Sequence, residues 1–404
     1  MGIEVGRPPR PEEAAGPSFG EWFRPPRLRT ATGEAERRHA TWLELFFDVV
    51  FVVAIAELSH QLVIDHSFFG FLRFAGLFIP VFVAWQGFMA YADRFDTDDL
   101  AFRLAFFTAM LAIAAMAVLI GDVARGQRSA GFILAYVTLR SLMLALYARA
   151  WFAVPEARPL IRFYGLGYAL GVGIWLSSLA VPAPAKYLVW AIALTEELSL
   201  PPLTTRLHRR IRTSASHLPE RWALFTLLVI AESVVAVALA TAGAQWQLGS
   251  AAAAVLGFAA VVGAWWLYFD RQADVVLTGS TVSVVIYSYA HIPLLIGLAA
   301  MSGGVRLLIT NASNPHLGLG ATVALVGGVI LYLLSLIATR TVTVSGPHRR
   351  GLAMKSAAIA VLLLLLLAQG AVSPLVPAAG VALVLVALIF SERVLMGNAP
   401  PLPD

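Results

Sequence analysis

Polar side chains that could do chemistry interrupt an apolar stretch near the beginning of the chain. Between Leu43 and His60, the carboxylates of Glu44, Asp48 and Glu57 lie among valine, phenylalanine, alanine and leucine residues. A charged group at the centre of a bilayer costs at least about 2.5 kcal/mol. A membrane helix that carries several such groups is expected to use them for ion binding, for proton transfer or in a buried salt bridge.

The spacing divides these residues into two groups on one predicted helix. With about 100° per residue, Glu44 and Asp48 share a face near the first end of the helix. Glu57, His60 and Gln61 form a deeper group at positions i, i+3 and i+4. Glu44 and Asp48 could instead anchor the helix end to basic loop residues. Glu57 could simply pair with His60 or with a donor on the second helix. Because the polar residues occupy two faces, we expect protein rather than lipid around this helix.

Five further polar residues are predicted near the middle of other spans: Arg140, Glu196, Glu197, Glu232 and His291. An unpaired arginine at this depth would be prohibitively unstable, so Arg140 is expected to meet Glu196 or Glu232. Such a bridge could be static and fix helix packing. Glutamates outnumber the arginine, however, and excess carboxylates suit proton-coupled transport or cation passage. His291 precedes Pro293, whose kink could free a carbonyl for a cation. Its imidazole could equally be satisfied by a neighbouring helix.

Signatures of enzymes, metal sites and cofactor sites are missing from the sequence. There is no phosphate-binding glycine loop and no His-Glu-x-x-His helix. The lack of cysteine excludes disulfides, thiolate metal sites and cysteine catalysis. We therefore expect no enzyme activity, no cofactor and no dedicated metal site.

The composition indicates a membrane protein. Of the 404 residues, 59% are hydrophobic and 13% are charged, and the mean hydropathy is +0.78. Soluble domains contain about 25% charged residues, so the chain is predicted to cross a membrane several times. The net charge of +5 comes from basic residues between the apolar segments. That placement reports membrane topology and excludes a nucleic-acid partner.

Twelve apolar segments of about 20 residues predict an all-α integral membrane protein. They fall near residues 42–64, 70–92, 100–121, 129–152, 160–180, 186–205, 219–242, 249–271, 281–302, 318–339, 353–371 and 375–393. With the N-terminus inside, most loop arginines and lysines lie on the cytoplasmic side. The other side receives only Arg73, Arg125, Arg128, Lys186 and Arg306. Both termini are therefore predicted to be cytoplasmic.

Charged landmarks recur along the chain and predict an internal repeat. Glu44 opens the first span and Glu220 opens the seventh. Similar pairs end the second and eighth spans and the sixth and twelfth spans: Tyr91-Ala-Asp-Arg94 with Tyr268-Phe-Asp-Arg271, and Leu194-Thr-Glu-Glu197 with Phe390-Ser-Glu-Arg393. Because six is an even number of spans, the copies would be two parallel six-helix repeats with a site at their interface.

Four regions follow from these patterns. Residues 1–40 are rich in proline, arginine and glutamate and lack a long apolar run, so they are predicted to be a disordered cytoplasmic tail. Residues 41–212 are the first six-helix half and residues 213–395 the second. Residues 396–404 are a short tail.

Two motifs resemble the low temperature requirement A (LtrA) family of bacterial membrane proteins. The first is Glu44-Leu-Phe46-Phe47-Asp48-Val-Val-Phe, followed by Leu58-Ser-His60. The second runs from Glu220-Arg-Trp to Ala231-Glu232-Ser, where the family commonly has glycine at position 231. The resemblance covers residues from about 42 to 395. It implies a multi-pass protein of the bacterial inner membrane and, by the family's name, a role in growth at low temperature.

The sequence thus predicts a membrane protein that moves an ion or small solute, with coupling to protons as one version. The candidate polar path comprises Asp48, Glu57, His60, Arg140, Glu196, Glu232 and His291. The expected partners are the lipid bilayer and an unidentified ion or solute, and the oligomeric state stays open. The alternatives are a non-transporting scaffold or sensor whose buried charges are structurally paired and, third, a membrane enzyme acting on lipid.

Overall fold

The computed structural model describes residues 23–29, 41–208, 217–244, 247–270, 277–278, 280–344 and 349–396. Twelve long helices occur within these ranges. The first six are α1 (Trp42–Ile64), α2 (Phe68–Arg94), α3 (Leu100–Ala124), α4 (Ser129–Ala153), α5 (Pro155–Ala180) and α6 (Ala185–Leu203). The others are α7 (His217–Gly243), α8 (Leu248–Phe269), α9 (Thr281–Thr310), α10 (Leu319–Arg340), α11 (Arg349–Leu367) and α12 (Leu375–Met396).

Ten of these helices are long and apolar enough to cross a membrane, which confirms a multi-pass membrane protein. The remaining two, α1 and α6, carry most of the carboxylates that the sequence marks as candidates, whereas Glu232 lies on α7. Large apolar side chains such as Leu111, Val118 and Leu367 point outward, as lipid contact requires. The twelve predicted segments agree with the twelve helices, although α9 continues to Thr310 and therefore contains Arg306, which was expected in a loop.

The helices pack in a similar order in the two parts of the chain. α1 contacts α2 and α3, α3 contacts α4, α4 contacts α5, and α5 contacts α6. Likewise α7 contacts α8 and α9, α9 contacts α10, α10 contacts α11, and α11 contacts α12. The two sets meet where α1 and α2 contact α7 and α9. We call the meeting of α1, α7 and α9 the junction.

The first turn of α1 is fixed by its own side chains. Thr41 Oγ1 accepts a hydrogen bond from Glu44 N at 3.3 Å, and Glu44 Oε2 accepts one from Thr41 N at 2.9 Å. This reciprocal capping box satisfies two backbone donors that a helix start leaves without partners. Glu44 therefore has a structural role in starting the helix that positions Asp48.

A short strand from the N-terminal region docks on the bundle. β1 (Arg27–Leu28) pairs antiparallel with β2 (Phe95–Asp96), which follows α2. Arg29 N donates to Arg94 O at 3.0 Å, and Arg149 donates to the carbonyl of Arg24. The expected disorder of residues 1–40 therefore does not hold for residues 23–29. The other residues of that predicted tail, 1–22 and 30–40, lie outside the described ranges, as do residues 397–404.

The expectation that protein surrounds α1 is wrong. Phe46, Val49 and Val53 are 54%, 45% and 56% exposed, so one face of the helix is left for lipid. The polar side chains avoid that face because their partners lie on α2, α3, α7 and α9. The enclosed helix is α9, whose side chains are buried over most of its length.

Candidate functional site

A buried ion-pair network links the beginnings of α1 and α7. Arg221 Nη1 lies 3.2 Å from Glu44 Oε2, and Arg221 Nη2 lies 3.1 Å from Asp48 Oδ1. Trp85 Nε1, on α2, donates to the same Asp48 oxygen at 2.7 Å. Asp48 is fully buried, and its Oδ2 has no hydrogen-bond partner among the described residues. One arginine thus serves two carboxylates, and one carboxylate oxygen is left over.

Arg221 is a functional candidate that the sequence analysis missed. The positive-inside rule counts it only as one of the basic residues on the cytoplasmic side, yet its side chain is just 9% exposed. The signal was its position one residue after Glu220, inside the apolar start of α7. A one-turn spacing brings Glu44 and Asp48 onto the face of α1 that meets this guanidinium.

Aromatic rings enclose the network and connect it to His291 on α9. Trp85 stacks on Phe225 with ring centroids 4.1 Å apart, and Trp222 lies over the His291 ring at 4.5 Å. His291 Nδ1 is 2.8 Å from the Tyr287 carbonyl, which can only accept, so this nitrogen carries the proton. Nε2 then accepts from the Tyr268 hydroxyl at 3.0 Å. Both nitrogens of His291 are satisfied in the neutral ring.

A second polar group lies further along the same three helices. Ser302 Oγ donates to Glu232 Oε2 at 3.1 Å, joining α9 to α7. Arg306 Nη2 donates to His60 Nδ1 at 3.1 Å, joining α9 to α1. Ser59 is buried, and a methyl group at position 303 would lie 3.3 Å from its carbonyl, so α1 and α9 approach closely here.

Glu57 does not belong to this second group. Its Oε1 accepts from Gln61 Nε2 at 2.7 Å, and both side chains border Gly121 of α3. The possible pairing of Glu57 with His60 is therefore not what the structure shows, because His60 is turned toward Arg306. Of the predicted group of Glu57, His60 and Gln61, only the contact between Glu57 and Gln61 is present.

The polar residues of the junction form two layers with a common spacing. Asp48 and Ser59, Arg221 and Glu232, and His291 and Ser302 are each eleven residues apart. Eleven residues are close to three helical turns, so each pair shares a face and is separated by about 16 Å. We call Glu44, Asp48, Arg221 and His291 the first layer, and Ser59, His60, Glu232, Ser302 and Arg306 the second layer.

Buried apolar side chains fill the space between the two layers. They come from all three helices: Phe51, Ala54, Ile55 and Leu58 of α1, Phe225, Val229 and Ile230 of α7, and Leu294, Leu295 and Leu298 of α9. Each helix of the junction therefore runs from polar to apolar and back to polar. The side chains between the two polar layers are mostly apolar, and the buried Thr226 of α7 is a polar exception.

A third charged group lies apart from the junction, among α4, α5 and α6. Arg140 Nη2 is 2.8 Å from Glu197 Oε2, and both side chains are almost fully buried. Tyr136 donates to Glu197 Oε2 at 2.6 Å, and Trp175 Nε1 donates to Glu197 Oε1 at 3.3 Å. Arg140 thus meets a carboxylate, as a buried guanidinium must, but the partner is Glu197 rather than Glu196 or Glu232. We call Tyr136, Arg140, Trp175, Glu196 and Glu197 the α4–α6 cluster.

The predicted polar path is therefore divided. Asp48, His60, Glu232 and His291 belong to the junction, Arg140 and Glu196 to the α4–α6 cluster, and Glu57 to the contact between α1 and α3. Among the residues that the structure describes, no three histidine, aspartate or glutamate side chains stand together as metal ligands. The junction and the α4–α6 cluster can each stabilise charged side chains inside the helix bundle.

Comparison with known proteins identifies the family. Residues 39–390 match the model of the bacterial low temperature requirement A protein (LtrA). The chain is also 28% identical over 327 residues to the uncharacterized protein RA0937 of Rhizobium meliloti (strain 1021), an alignment that covers 74% of this chain and 76% of that protein. The match includes both motifs that build the junction, from Glu44 to His60 and from Glu220 to Glu232. The chain belongs to the bacterial low temperature requirement A (LtrA) family.

Proposed function

We propose that the protein moves an ion or small solute across the membrane along the junction, in a process coupled to protons. The observation that carries the proposal is the pair of polar layers that α1, α7 and α9 place eleven residues apart. Polar groups at these depths are costly, and a protein retains them most commonly along a pathway for ions or solutes. The apolar layer between them would then be the closed barrier.

The charges of the first layer favour a cation or a proton as the species that enters it. Two carboxylates, Glu44 and Asp48, face the single guanidinium of Arg221. The free Oδ2 of Asp48 offers an acceptor that no described residue uses. A cation or proton bound there would balance the charge of this layer.

The packing order supports the proposal of two parallel six-helix repeats. α1 and α7 would be equivalent helices, and they contact each other directly at the layer that holds Asp48 and Arg221. Transporters of repeated architecture bind their substrates where the repeats meet. Rocking of one repeat against the other would open the junction to each side in turn.

We further propose that the protein lies in the bacterial plasma membrane with both termini in the cytoplasm. The chain has no cysteine, so single cysteines can report its orientation without further changes. Gln127→Cys, in the exposed loop between α3 and α4, should react with an impermeant maleimide in intact cells. Glu156→Cys, exposed in the first turn of α5, should react only after the cells are opened. The reverse pattern would invert the topology.

The decisive experiment measures flux into liposomes that contain the purified protein. A panel of monovalent and divalent cations, small metabolites and a pH-sensitive dye should reveal a flux that the wild-type protein supports. Asp48→Asn and Glu232→Gln should lose most of it, whereas Asp98→Asn, in an exposed pair with Arg103, should keep it. Glu57→Gln tests whether the contact between α1 and α3 is needed for flux in addition to the junction. No flux of any panel member would defeat the proposal.

A scaffold or sensor is the second candidate, because several buried charges are paired. Arg140 with Glu197, and Arg221 with Glu44 and Asp48, have the geometry of static bridges that fix helix packing. On this view Asp48→Asn would lower stability without any flux to lose. An absent flux combined with an intact, folded wild-type protein would favour this candidate.

A further inference from the structure

Among the described residues, the second carboxylate of the α4–α6 cluster, Glu196, has no partner that accounts for its charge. Arg140 bonds Glu197 and the Tyr136 hydroxyl, and it makes no ion pair with Glu196. Glu196 Oε2 is a buried atom without a hydrogen-bond partner among the described residues. The guanidinium is itself incompletely used, since the fully buried Arg140 Nη1 also lacks a partner there. With both glutamates ionised, the cluster would carry one uncompensated negative charge inside a spanning bundle.

Glu196 and Glu197 converge on one point beside α5. A methyl group at position 171 would lie 3.1 Å from Glu197 Oε1 and 3.3 Å from Glu196 Oε2. Gly171 therefore provides the space in which one oxygen of each carboxyl group sits. Gly167, one turn earlier, similarly admits Glu196 Oε1, which a methyl group would meet at 3.1 Å. Gly165 and Gly173 on the same helix face open space instead.

We propose that Glu196 and Glu197 form a carboxyl pair that binds one proton on Glu196, with Arg140 holding Glu197 as the charged member. Two adjacent carboxylates cannot both ionise at low cost, and neutralising one of them removes the excess charge. The proton adds to the free Oε2 of Glu196 and no other bond changes. Glu196 is only partly buried, whereas Glu197 is enclosed and paired with Arg140, so we assign the proton to Glu196.

The donor set favours a proton over a metal cation. Both oxygens of Glu197 already accept hydrogen bonds, Oε2 from Tyr136 and Oε1 from Trp175. A metal ion would need several free oxygen ligands, and it would have to displace these N–H and O–H donors. The charged groups that face Glu196 are Arg140 of α4 and Glu197 on its own helix, and the tyrosines nearby are Tyr136 of α4 and Tyr168 of α5. From α9, Tyr289 donates to the backbone of Leu198.

This proton-binding event is a property of the folded protein and does not depend on transport through the junction. It is tested by infrared difference spectroscopy of the purified protein over a pH titration. The wild-type protein should show the carbonyl band of a protonated carboxyl group that disappears as the pH rises. Glu196→Gln should abolish that band, and Asp98→Asn should leave it unchanged. Persistence of the band in Glu196→Gln would overturn the proposal.

A matched pair of glycine variants tests the carboxyl pair while both glutamates are kept. Gly171→Ala places a methyl group against both carboxyl oxygens, and it should move the midpoint of the titration by about one pH unit. Gly173→Ala, on the same helix and with nothing near it, should leave the midpoint in place. Equal midpoints in the two variants would contradict a carboxyl pair at Gly171. A band that changes with added sodium or potassium at constant pH would identify a metal cation instead of a proton.

Discussion

The first layer of the junction and the α4–α6 cluster contain the same kinds of groups and arrange them differently. Each has one arginine, two carboxylates and a tryptophan N–H that donates to a carboxylate, Trp85 to Asp48 and Trp175 to Glu197. In the junction, Arg221 reaches both carboxylates from another helix. In the cluster, Arg140 reaches only one and leaves Glu196 aside. The same kinds of charged groups can therefore form either a bridge from one arginine to two carboxylates or a single ion pair beside an unpaired carboxyl group.

Depth and burial explain why the consequences differ. Arg140 and Glu197 have almost no exposed side-chain surface, so each depends on the other for compensation. Arg221 is 9% and Glu44 11% exposed, near the end of the bundle where water can share the charge. Removing one partner at a time tests this difference, and we expect the largest loss of stability at the more buried site.

Removal of the Arg140 guanidinium should have the largest effect on stability. Arg140→Met leaves Glu197 buried and uncompensated, which costs about 3–5 kcal/mol. The double variant Arg140→Met, Glu197→Met should recover much of that loss, because no unpaired charge remains. The stabilities of the single and the double variant are compared by heating each in detergent and measuring the fraction of protein that stays monodisperse. A double variant as unstable as the single one would show that the pair itself is indispensable.

Removal of the Arg221 guanidinium should cost less than removal of Arg140. Arg221→Met deletes two charge-assisted hydrogen bonds, and hydrogen bonds to charged groups contribute about 1.5–3 kcal/mol each before water replaces them. Glu44 keeps its capping bond to Thr41 and lies where water can replace the lost bond, and the fully buried Asp48 keeps the bond from Trp85. We therefore expect a net loss of stability below that of Arg140→Met. The same thermal assay ranks the variants. Arg221→Met below Arg140→Met in stability would reverse the order that burial predicts.

The two tryptophan donors give a finer test of the same comparison. Trp85 Nε1 is 2.7 Å from Asp48, whereas Trp175 Nε1 is 3.3 Å from Glu197. Trp85→Phe should therefore be more destabilising than Trp175→Phe by about 1 kcal/mol, since the shorter bond to a carboxylate is stronger. Glu197 also retains Tyr136 and Arg140 as donors after the change. Unfolding midpoints of both variants, measured side by side, provide the check.

Several of these groups could be anticipated from the sequence because their signals are local. The apolar lengths located the helices, the spacing of Glu44 and Asp48 placed both on one face, and the cost of a buried charge required a partner for Arg140. The identity of each partner, however, could not be predicted from nearby sequence. Glu197 instead of Glu196 depends on which side of α6 faces α4, and Arg221 and Arg306 look like loop residues until the neighbouring helices are known.

The smallest effect is expected at Asp65, a carboxylate outside the spanning segments. Hydrogen bonds from Ser67, with Arg73 2.8 Å away, hold the pKa of Asp65 below its ordinary value. A lowered pKa contributes stability above the unfolded pKa of about 4, and that contribution is lost as the pH falls through the folded value. Because the side chain is 37% exposed, Asp65→Asn should cost less than about 1 kcal/mol at neutral pH and nothing in strong acid. Unfolding midpoints of Asp65→Asn and wild type at several pH values measure this difference. A loss as large as that of Arg221→Met would mean that exposure does not set the order of these charged sites.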